Sequence, residues 1–389
     1  MARVLLVFLY FIFSITLFFA GFFFQRIISS KIDKNPISLL KSFQKSPISS
    51  FASLRNPIAT STPSPSPIPT PSPTPIPLPT SKILENDYHV FQTFNNCGPA
   101  ALSMALSYYG ITKSQLELGQ DLRPYQNPSG FNDDKSVTLD ELADKAKEYN
   151  LIPFHRPGGT IELIKQCIAS GIPVMTRTLL NENIDIGHYR VIKGYDDAKQ
   201  EFIQDDSLQG HNLLYSYALF LRLWKMFDYE YLILVPPEKE HIAQSILGQN
   251  LDEKTAWNNA VERSKKEVAS SSDDIYARFN LAIELYHTGD FKGAVSEFEK
   301  VESKLPFRTL WYQIEPIQAY YELGNYQKAF TMTDQIFNNQ NKAFSELYII
   351  RGEIYKKQGN KEAAKSEFEK AVYYNKNLKS AQEALQSVQ

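Results

Sequence analysis

One cysteine of this chain stands where a nucleophile could be activated. Cys97 follows the polar pair Asn95–Asn96, and a Gly-Pro step at Pro99 leads into an apolar run that ends at Gly110. Proline suits the first turn of a helix, so the run predicts a helix with the cysteine at its N-terminus. Unpaired N–H groups and the helix dipole at that end favour a thiolate. Cys97 is therefore the candidate nucleophile.

A catalytic thiolate needs a general base and a group that orients the base. His188 begins a predicted strand, and a hairpin with arms of matched length returns the chain to Asp205 and Asp206. A carboxylate should thus lie beside His188, fix its tautomer and leave the other ring nitrogen for the thiol. We expect Asp205 in this role, because it follows Ile203 on the same strand face. Asp206 is the alternative.

The oxyanion of a thiol hydrolase needs hydrogen-bond donors. Gln92 lies five residues before Cys97, so its side-chain amide can join the backbone N–H of that cysteine as a second donor. The only other cysteine, Cys167, falls on the apolar side of a predicted helix and is expected to be an inert core residue. A disulfide between the two cysteines is the alternative. Two cysteines exclude a multi-cysteine zinc site, and we expect no cofactor and no metal.

The remaining histidines and turn carboxylates have structural interpretations. Four histidines stand alone in the sequence and are expected to be structural or exposed to solvent, namely His155, His211, His241 and His287. His89 is near Cys97 in sequence and is the alternative member of the site. Asp196 and Asp197 are predicted to form the hairpin turn.

The segment 83–236 predicts one globular α+β unit. Helices are expected over Ser114–Leu122, from Thr138, where Glu141 completes a capping box, and over Ile161–Ala169. Further along, strands are predicted over Ile172–Arg177, His188–Tyr195, Glu201–Gln204 and Tyr229–Val235, with a helix over Ser216–Lys225. Helices come first and an antiparallel sheet follows, which is the α+β order.

The C-terminal segment 273–389 repeats itself. Gly289, Gly324 and Gly359 lie 35 residues apart, and an alanine follows each after five residues. This period and layout resemble the tetratricopeptide repeat, a helix–turn–helix unit, and predict an all-α repeat domain. The middle copy departs from the pattern, with Thr333 where Phe is expected and Pro316 inside its first helix. An irregular helical bundle is the alternative, and the segment 237–272 is predicted to hold a connecting helix.

The N-terminal segment 1–34 predicts a membrane anchor. Val4–Phe24 carries no charge, is rich in large apolar residues, and is long enough to span a bilayer as a helix. A cleaved signal peptide is the alternative. The segment 35–82 is a linker in which every second residue from Pro63 to Pro79 is proline. The stretch Pro63–Pro79 should form a stiff polyproline II spacer on the order of 50 Å long.

Two sequence features give opposite indications of the side of the membrane on which the C-terminal domains lie. Arg3 precedes the apolar run, while Arg26, Lys31 and Lys34 follow it, and this bias favours a cytoplasmic C-terminal side. A long stiff spacer instead suits a domain held away from a membrane or carried into a cell wall. We expect the soluble domains to be extracytoplasmic. A proline-rich ligand for a partner domain is the alternative interpretation of the spacer.

Three motifs in order resemble a known family. They are the segments Gln92–Leu106, Gly187–Asp196 and Phe202–Asp205. In addition, Gly171–Val174 resembles the strand that the family has before its histidine. Together they look like peptidase family 39, papain-like cysteine peptidases related to bacteriocin-processing peptidases. The resemblance covers about residues 86–236. Bacteriocin-processing members precede an ABC transporter, whereas this chain has repeats there, so leader-peptide cleavage during export does not carry over.

The resemblance implies a papain-like α+β fold with a catalytic set in this chain. Cys97 would be the nucleophile, His188 the base, Asp205 the orienting carboxylate and Gln92 the oxyanion donor. The leading hypothesis is a membrane-anchored cysteine peptidase that hydrolyses a peptide or protein substrate, with the repeats binding a protein partner. The alternatives are an amidase or transferase acting on cell-wall peptides and a non-catalytic anchored scaffold. A net charge of −2 gives no reason to expect nucleic acid as a partner.

Overall fold

The computed structural model describes residues 77–389 except 128, 130–132 and 134. The predicted membrane helix Val4–Phe24 and nearly all of the proline-rich spacer lie outside the described residues. Among the residues that are described, no helix combines the length and apolar character needed to cross a membrane. The anchor therefore stays a prediction.

The first part of the described chain is an antiparallel sheet between two layers of helices. The strands are β1 (Ser81–Ile83), β2 (Ile152–Arg156), β3 (Val174–Asn181), β4 (Ile184–Asp196), β5 (Glu201–Asp206), β6 (Gly210–Ser216) and β7 (Tyr231–Val235). The helices are α1 (Cys97–Ser107), α2 (Gln115–Leu122), α3 (Leu139–Lys147), α4 (Ile161–Ala169) and α5 (Tyr217–Lys225). Strand order is β2-β7-β3-β4-β5-β6, with β1 paired to β4. The predicted α+β class is confirmed.

Alternating side chains of the sheet divide the core in two. On one face, Met175 of β3 and Tyr189 and Val191 of β4 pack with α1 and α3. On the other face, Val174 and Ile192 pack with α4 and α5. The sheet is thus buried on both sides, and α1 lies directly against the strand that carries His188.

Local sequence signals account for the helix that begins at Cys97. Pro99 lies in its first turn, where a missing N–H costs nothing. Gly98 is required by a close approach, because an added Cβ would lie 2.3 Å from Val137 Cγ2. The predicted capping box at Thr138 starts α3, and a capping box at Ser114, which was not predicted, starts α2.

The structure differs from the sequence prediction at several strands. β3 and β4 are longer than predicted, and β6 was not predicted. β6 is an edge strand with alternately exposed residues, so it lacks the apolar run that marks a buried strand. β7 begins at Tyr231 because Asp228 and Tyr229 adopt positive φ angles of 51° and 52° just before it.

The second part of the described chain is helical. Its helices are α6 (Glu240–Leu247), α7 (Glu253–Ser270), α8 (Ile275–His287), α9 (Phe291–Glu299), α10 (Thr309–Tyr312), α11 (Glu315–Glu322), α12 (Tyr326–Asn338), α13 (Ser345–Lys357), α14 (Lys361–Tyr374) and α15 (Lys379–Gln386). The three repeated glycines adopt positive φ angles of 86°, 73° and 78° in the turns between paired helices. The alanines that follow them are buried. The predicted repeat region is confirmed.

The departure at Pro316 has a structural consequence. The first helices of the outer repeats, α8 and α13, are continuous, whereas the middle repeat starts with the two short helices α10 and α11. Proline cannot donate to the carbonyl four residues earlier, which belongs to Tyr312. That carbonyl instead accepts a hydrogen bond of 3.3 Å from Nη1 of Arg177 in β3. The break in the helix therefore frees a carbonyl that contacts β3.

Candidate active site

Cys97 lies at the N-terminus of α1 with its thiol buried against β4. Burial raises the pKa of the thiol, but a hydrogen bond and positive charge from His188, the charge of Arg177 and the backbone N–H of Tyr189 outweigh it. The net effect lowers the pKa of Cys97. The site therefore stabilises a thiolate, through His188, Arg177 and the Tyr189 backbone.

His188 bridges the cysteine and a carboxylate. Its Nε2 atom lies 2.7 Å from Oδ1 of Asp206, which leaves Nδ1 for Cys97. Burial lowers the pKa of His188, but the hydrogen bonds and charges of Asp206 and Cys97 raise it by a larger amount. The net effect is a raised pKa. A raised imidazole pKa beside a lowered thiol pKa favours the thiolate–imidazolium pair.

The expectation that Asp205 contacts His188 is wrong in the structure, and a bulge explains why. Near the turn, Tyr195 pairs with Phe202, and continuing that register would put Asp205 on the face of His188. The ladder instead shifts at Lys193, so that Arg190 pairs with Asp206. A one-residue shift moves side chains to the opposite face of a strand, so the alternative residue occupies the site.

Asp205 has other contacts. Its Oδ2 lies 3.1 Å from Nζ of Lys193, and its Oδ1 lies 2.9 Å from Nδ1 of His211. The backbone N–H of Asn212 also donates to Oδ1 at 3.0 Å. Asp205 therefore joins β4 to β6 and lies outside the contact between cysteine and histidine.

Asp206 is held firmly in its position. Nε of Arg190 lies 3.0 Å from its Oδ2, and the backbone N–H groups of Leu208 and Gln209 each donate to Oδ1 at 2.8 Å. Burial raises the pKa of Asp206, but His188 and Arg190 lower it below its ordinary value. The carboxylate is thus ionised and oriented towards the imidazole. Nε2 of His89, the alternative site member, lies 2.9 Å from the backbone oxygen of Asp206, and its ring packs against Phe91 and His211.

Gln92 lines the same cavity as Cys97 and His188. Its backbone N–H donates to the carbonyl of Ser207, and its Oε1 accepts from Ser207 Oγ, both at 2.8 Å. The oxygen end of the amide is therefore occupied, and the NH₂ end is available for an oxyanion. The backbone N–H of Cys97, in the first turn of α1, lacks an intrahelical acceptor and could serve as the second donor.

Gln115 positions the segment that carries Gln92, and the sequence analysis did not identify it. Its Nε2 donates to the carbonyl of Phe91 at 2.6 Å, and its Oε1 accepts from the backbone N–H of Thr93 at 2.8 Å. Its backbone carbonyl accepts from Nδ2 of Asn96 at 2.9 Å. One side chain of α2 thus fixes the residues on both sides of Gln92. A lone glutamine in a helix carries no sequence signal for such a role.

Arg177 is a second residue that the sequence analysis missed. This buried guanidinium donates to the hydroxyl of Tyr189 at 2.8 Å and to the carbonyls of Val137 and Tyr312. Its charge helps to lower the pKa of Cys97. Arg177 therefore links the thiol site, the loop before α3 and the repeat region.

The other predicted residues take structural places. Cys167 is buried, unbridged, and its pKa is raised to about 12 by burial, so it is inert as predicted. His155 lies between Asp140 at 2.6 Å and Glu230 at 2.5 Å. Burial lowers the pKa of His155, but these two carboxylates raise it to about 10. Within the described residues, no group of three or more His, Cys, Asp or Glu side chains is arranged to hold a metal ion.

A buried thiol with an oriented imidazole and a nearby amide has the geometry of a cysteine-hydrolase site. Residues 83–232 match the model of the Peptidase_C39 like family, and residues 345–378 match the model of the tetratricopeptide repeat. The chain thus carries a peptidase C39-like domain followed by a tetratricopeptide-repeat region, as the sequence motifs predicted. None of the curated proteins compared with the chain matches it.

Solved structures resemble both parts. A candidate C39-like peptidase from Bacillus anthracis is 21% identical at a TM-score of 0.33, covering 40% of this chain and 97% of its own. The peptidase domain of Streptococcus ComA, a bifunctional ABC transporter, is 19% identical at a TM-score of 0.29. The match covers 38% of this chain and 96% of that domain. A tetratricopeptide protein of Thermus thermophilus is 17% identical at a TM-score of 0.29. The match covers 36% of this chain and 77% of that protein.

Proposed function

We propose that the chain is a cysteine peptidase in which Cys97 is the nucleophile and His188 the general acid and base. Asp206 orients the imidazole, and Gln92 donates to the oxyanion. The observation that carries the proposal is the continuous contact from the thiol through His188 to an ionised Asp206, with opposite pKa shifts at the first two groups. That combination activates a thiol for acyl transfer.

The chemistry follows from these positions. The thiolate attacks the carbonyl carbon of a peptide bond, and the carbonyl oxygen takes the negative charge between the backbone N–H of Cys97 and the amide of Gln92. His188 gives its proton to the leaving amine as the C–N bond breaks, which leaves a thioester. Water, deprotonated by His188, then attacks the thioester and releases the acid and the thiol.

The test is labelling with a thiol-reactive activity probe followed by hydrolysis assays. We expect labelling to be lost in Cys97→Ala and strongly reduced in His188→Ala, and peptide cleavage to follow the same pattern. Equal labelling of the wild type and His188→Ala would contradict the proposal. Parallel digestion of a peptide library and of purified peptidoglycan separates a peptidase from an amidase or transferase acting on cell-wall peptides. A non-catalytic scaffold would cleave neither.

We further propose that Val4–Phe24 anchors the chain and that the proline-rich spacer holds the described domains outside the cytoplasm. The apolar run and the stiff spacer support this arrangement. Labelling of an engineered surface cysteine in whole cells by a membrane-impermeant maleimide tests it. Labelling only after cell lysis would place the domains in the cytoplasm.

The repeat region is proposed to bind a protein, as helical repeats offer extended surfaces for this purpose.

A further inference from the structure

We infer that the repeat region forms one wall of the substrate cleft and that Trp311 lines a subsite for an apolar side chain of the peptide. This inference rests on the proposed peptidase activity. A cavity of about 570 Å³ contains Cys97 and His188 on one side, and Arg308, Trp311 and Tyr312 of the repeat region on the other. A peptide that reaches the thiol must therefore also contact α10.

The wall is fixed in place by contacts between the two parts. Arg308 forms an ion pair of 2.5 Å with Asp185 of β4, and its backbone N–H donates to the same carboxylate at 3.1 Å. The Tyr312 ring packs on Gly187, where an added Cβ would lie 3.1 Å from a ring carbon. Gly187 directly precedes His188, so the wall begins beside the catalytic base.

The helix break before Pro316 gives α10 a further contact with the first part of the described chain. Because Pro316 cannot donate to Tyr312, the carbonyl of Tyr312 is free to accept from Arg177. The same Arg177 contributes to the low pKa of Cys97. The irregular start of the middle repeat thus supplies a contact that holds Tyr312, next to Trp311, beside the thiol site.

Among the described residues, the charged side chains that line the cavity are already paired within the protein. Asp133 pairs with Arg123, Lys135 with Glu141 at 2.6 Å and Glu346 at 2.8 Å, and Arg308 with Asp185 at 2.5 Å. A charged substrate side chain would have to compete with these contacts. The occupant that fits this wall is neutral.

Exposed apolar side chains surround the same opening. On the peptidase side Phe94 is 64% exposed, Leu208 50% and Ile186 38%, and all three line the cavity. On the repeat side Phe307 is 52% exposed and its ring lies 5.2 Å from that of Trp311. Exposed apolar residues gathered at one cleft mark a binding surface. The peptide bound there should carry an apolar side chain near the scissile bond.

The experiment compares the wild type with Trp311→Ala, Trp311→Phe and a control, Tyr373→Ala, whose exposed ring lies outside the cavity. Cleavage of a peptide mixture is read by mass spectrometry as the ratio of Leu to Ser at each position near the cut. Inactivation by peptidyl chloromethyl ketones that differ only in Leu or Ser gives the same ratio without hydrolysis. The rate of Cys97 alkylation by iodoacetamide reports whether the thiol itself is intact.

We expect the wild type, Trp311→Phe and Tyr373→Ala to prefer Leu by about 10-fold at one position, and Trp311→Ala to lose that preference. Iodoacetamide should react equally with all four. An unchanged preference in folded Trp311→Ala, or no preference in the wild type, overturns the subsite. If the wild type hydrolyses nothing but the ketones show a preference that depends on Trp311, the peptidase proposal fails while the subsite stands.

Discussion

Nε2 of His188 lies 2.7 Å from Oδ1 of Asp206, while the adjacent Asp205 faces Lys193 on the other side of β5. The two carboxylates are neighbours in sequence and are both buried, yet only one contacts the imidazole. The bulge at Lys193 selects it. Comparing the two aspartates therefore tests the site with an internal control.

Asp206→Ala should lower kcat/KM by about 100-fold or more, because the imidazole loses the acceptor that orients it. Asp206→Asn should recover most of the activity, since an amide oxygen can also accept from Nε2–H. Peptide hydrolysis under initial-rate conditions measures both effects. Removing the carboxylate also leaves buried Arg190 without its ion pair, at a cost of about 3–5 kcal/mol, so chemical unfolding must accompany the assay.

The matched control is Asp205→Asn, which keeps the shape of the side chain and should leave kcat/KM within a few-fold of the wild type. A larger loss in Asp205→Asn than in Asp206→Ala, with both variants folded at the assay temperature, would contradict the assignment of Asp206.

The pH dependence of Cys97 reactivity follows from the two pKa shifts. Burial opposes ionisation of the thiol, but His188 lowers its pKa, so alkylation should stay fast at pH values below the ordinary pKa of a thiol. The pKa of His188 is raised, so the imidazolium persists to higher pH, and hydrolysis should be lost only above that raised value. Rates of iodoacetamide alkylation and of peptide cleavage measured against pH test both limbs.

His188→Ala removes the stabilising contact and leaves burial to dominate, so the alkylation midpoint should move to higher pH. His211→Ala serves as the control, because His211 contacts Asp205 rather than the thiol. The pH midpoint of Cys97 alkylation in this variant should match that of the wild type. Identical midpoints in all three proteins would show that His188 does not ionise the thiol.

Gln92→Ala should lower kcat by about 100-fold and leave KM nearly unchanged, because an oxyanion donor acts on the transition state rather than on the bound substrate. Alkylation by iodoacetamide forms no oxyanion and should keep its rate. Ser207→Ala frees the Oε1 end of the amide without removing the NH₂ donor, so its loss should be smaller. A fall in alkylation equal to the fall in kcat would instead assign Gln92 a role in holding the thiol.

Much of the thiol site could be predicted because it depends on local signals. A Gly-Pro step sets the start of α1, and a capping box at Thr138 starts α3. The turn between β4 and β5 brings the carboxylates back towards His188. Each of these features lies within a few residues of its signal, and the sequence therefore contains the cause.

The remaining features depend on contacts that are distant in sequence. The bulge at Lys193 changes the register by one residue and so exchanged the roles of Asp205 and Asp206. Gln115 of α2 fixes the irregular segment that holds Gln92, and the Tyr312 carbonyl contacts Arg177 across 135 residues of chain. The sequence marks Pro316 as an irregularity of the repeat, but only the folded chain shows which residue uses the freed carbonyl.

The junction between the two parts should weaken as pH rises. Asp228, which follows α5, and Glu284 of α8 are buried, and both pair with the half-buried Arg263 of α7, whose Nη2 lies 2.9 Å from Glu284. Burial and the neighbouring Glu284 raise the pKa of Asp228, although Arg263 acts in the opposite direction. A carboxyl whose pKa is higher in the folded state contributes stability at low pH that is lost as pH rises through that raised value.

The free energy of unfolding should therefore fall, beginning above the ordinary pKa of an aspartate, by about 1.4 kcal/mol for each pKa unit that folding adds to Asp228. Asp228→Asn mimics the protonated acid and should flatten the pH dependence of the free energy of unfolding. Asp273→Asn changes an exposed carboxylate and should leave that dependence unchanged. Urea unfolding at a series of pH values gives the three curves. Parallel curves for the wild type and Asp228→Asn would mean that Asp228 is ionised in the folded protein and that Arg263 outweighs its burial.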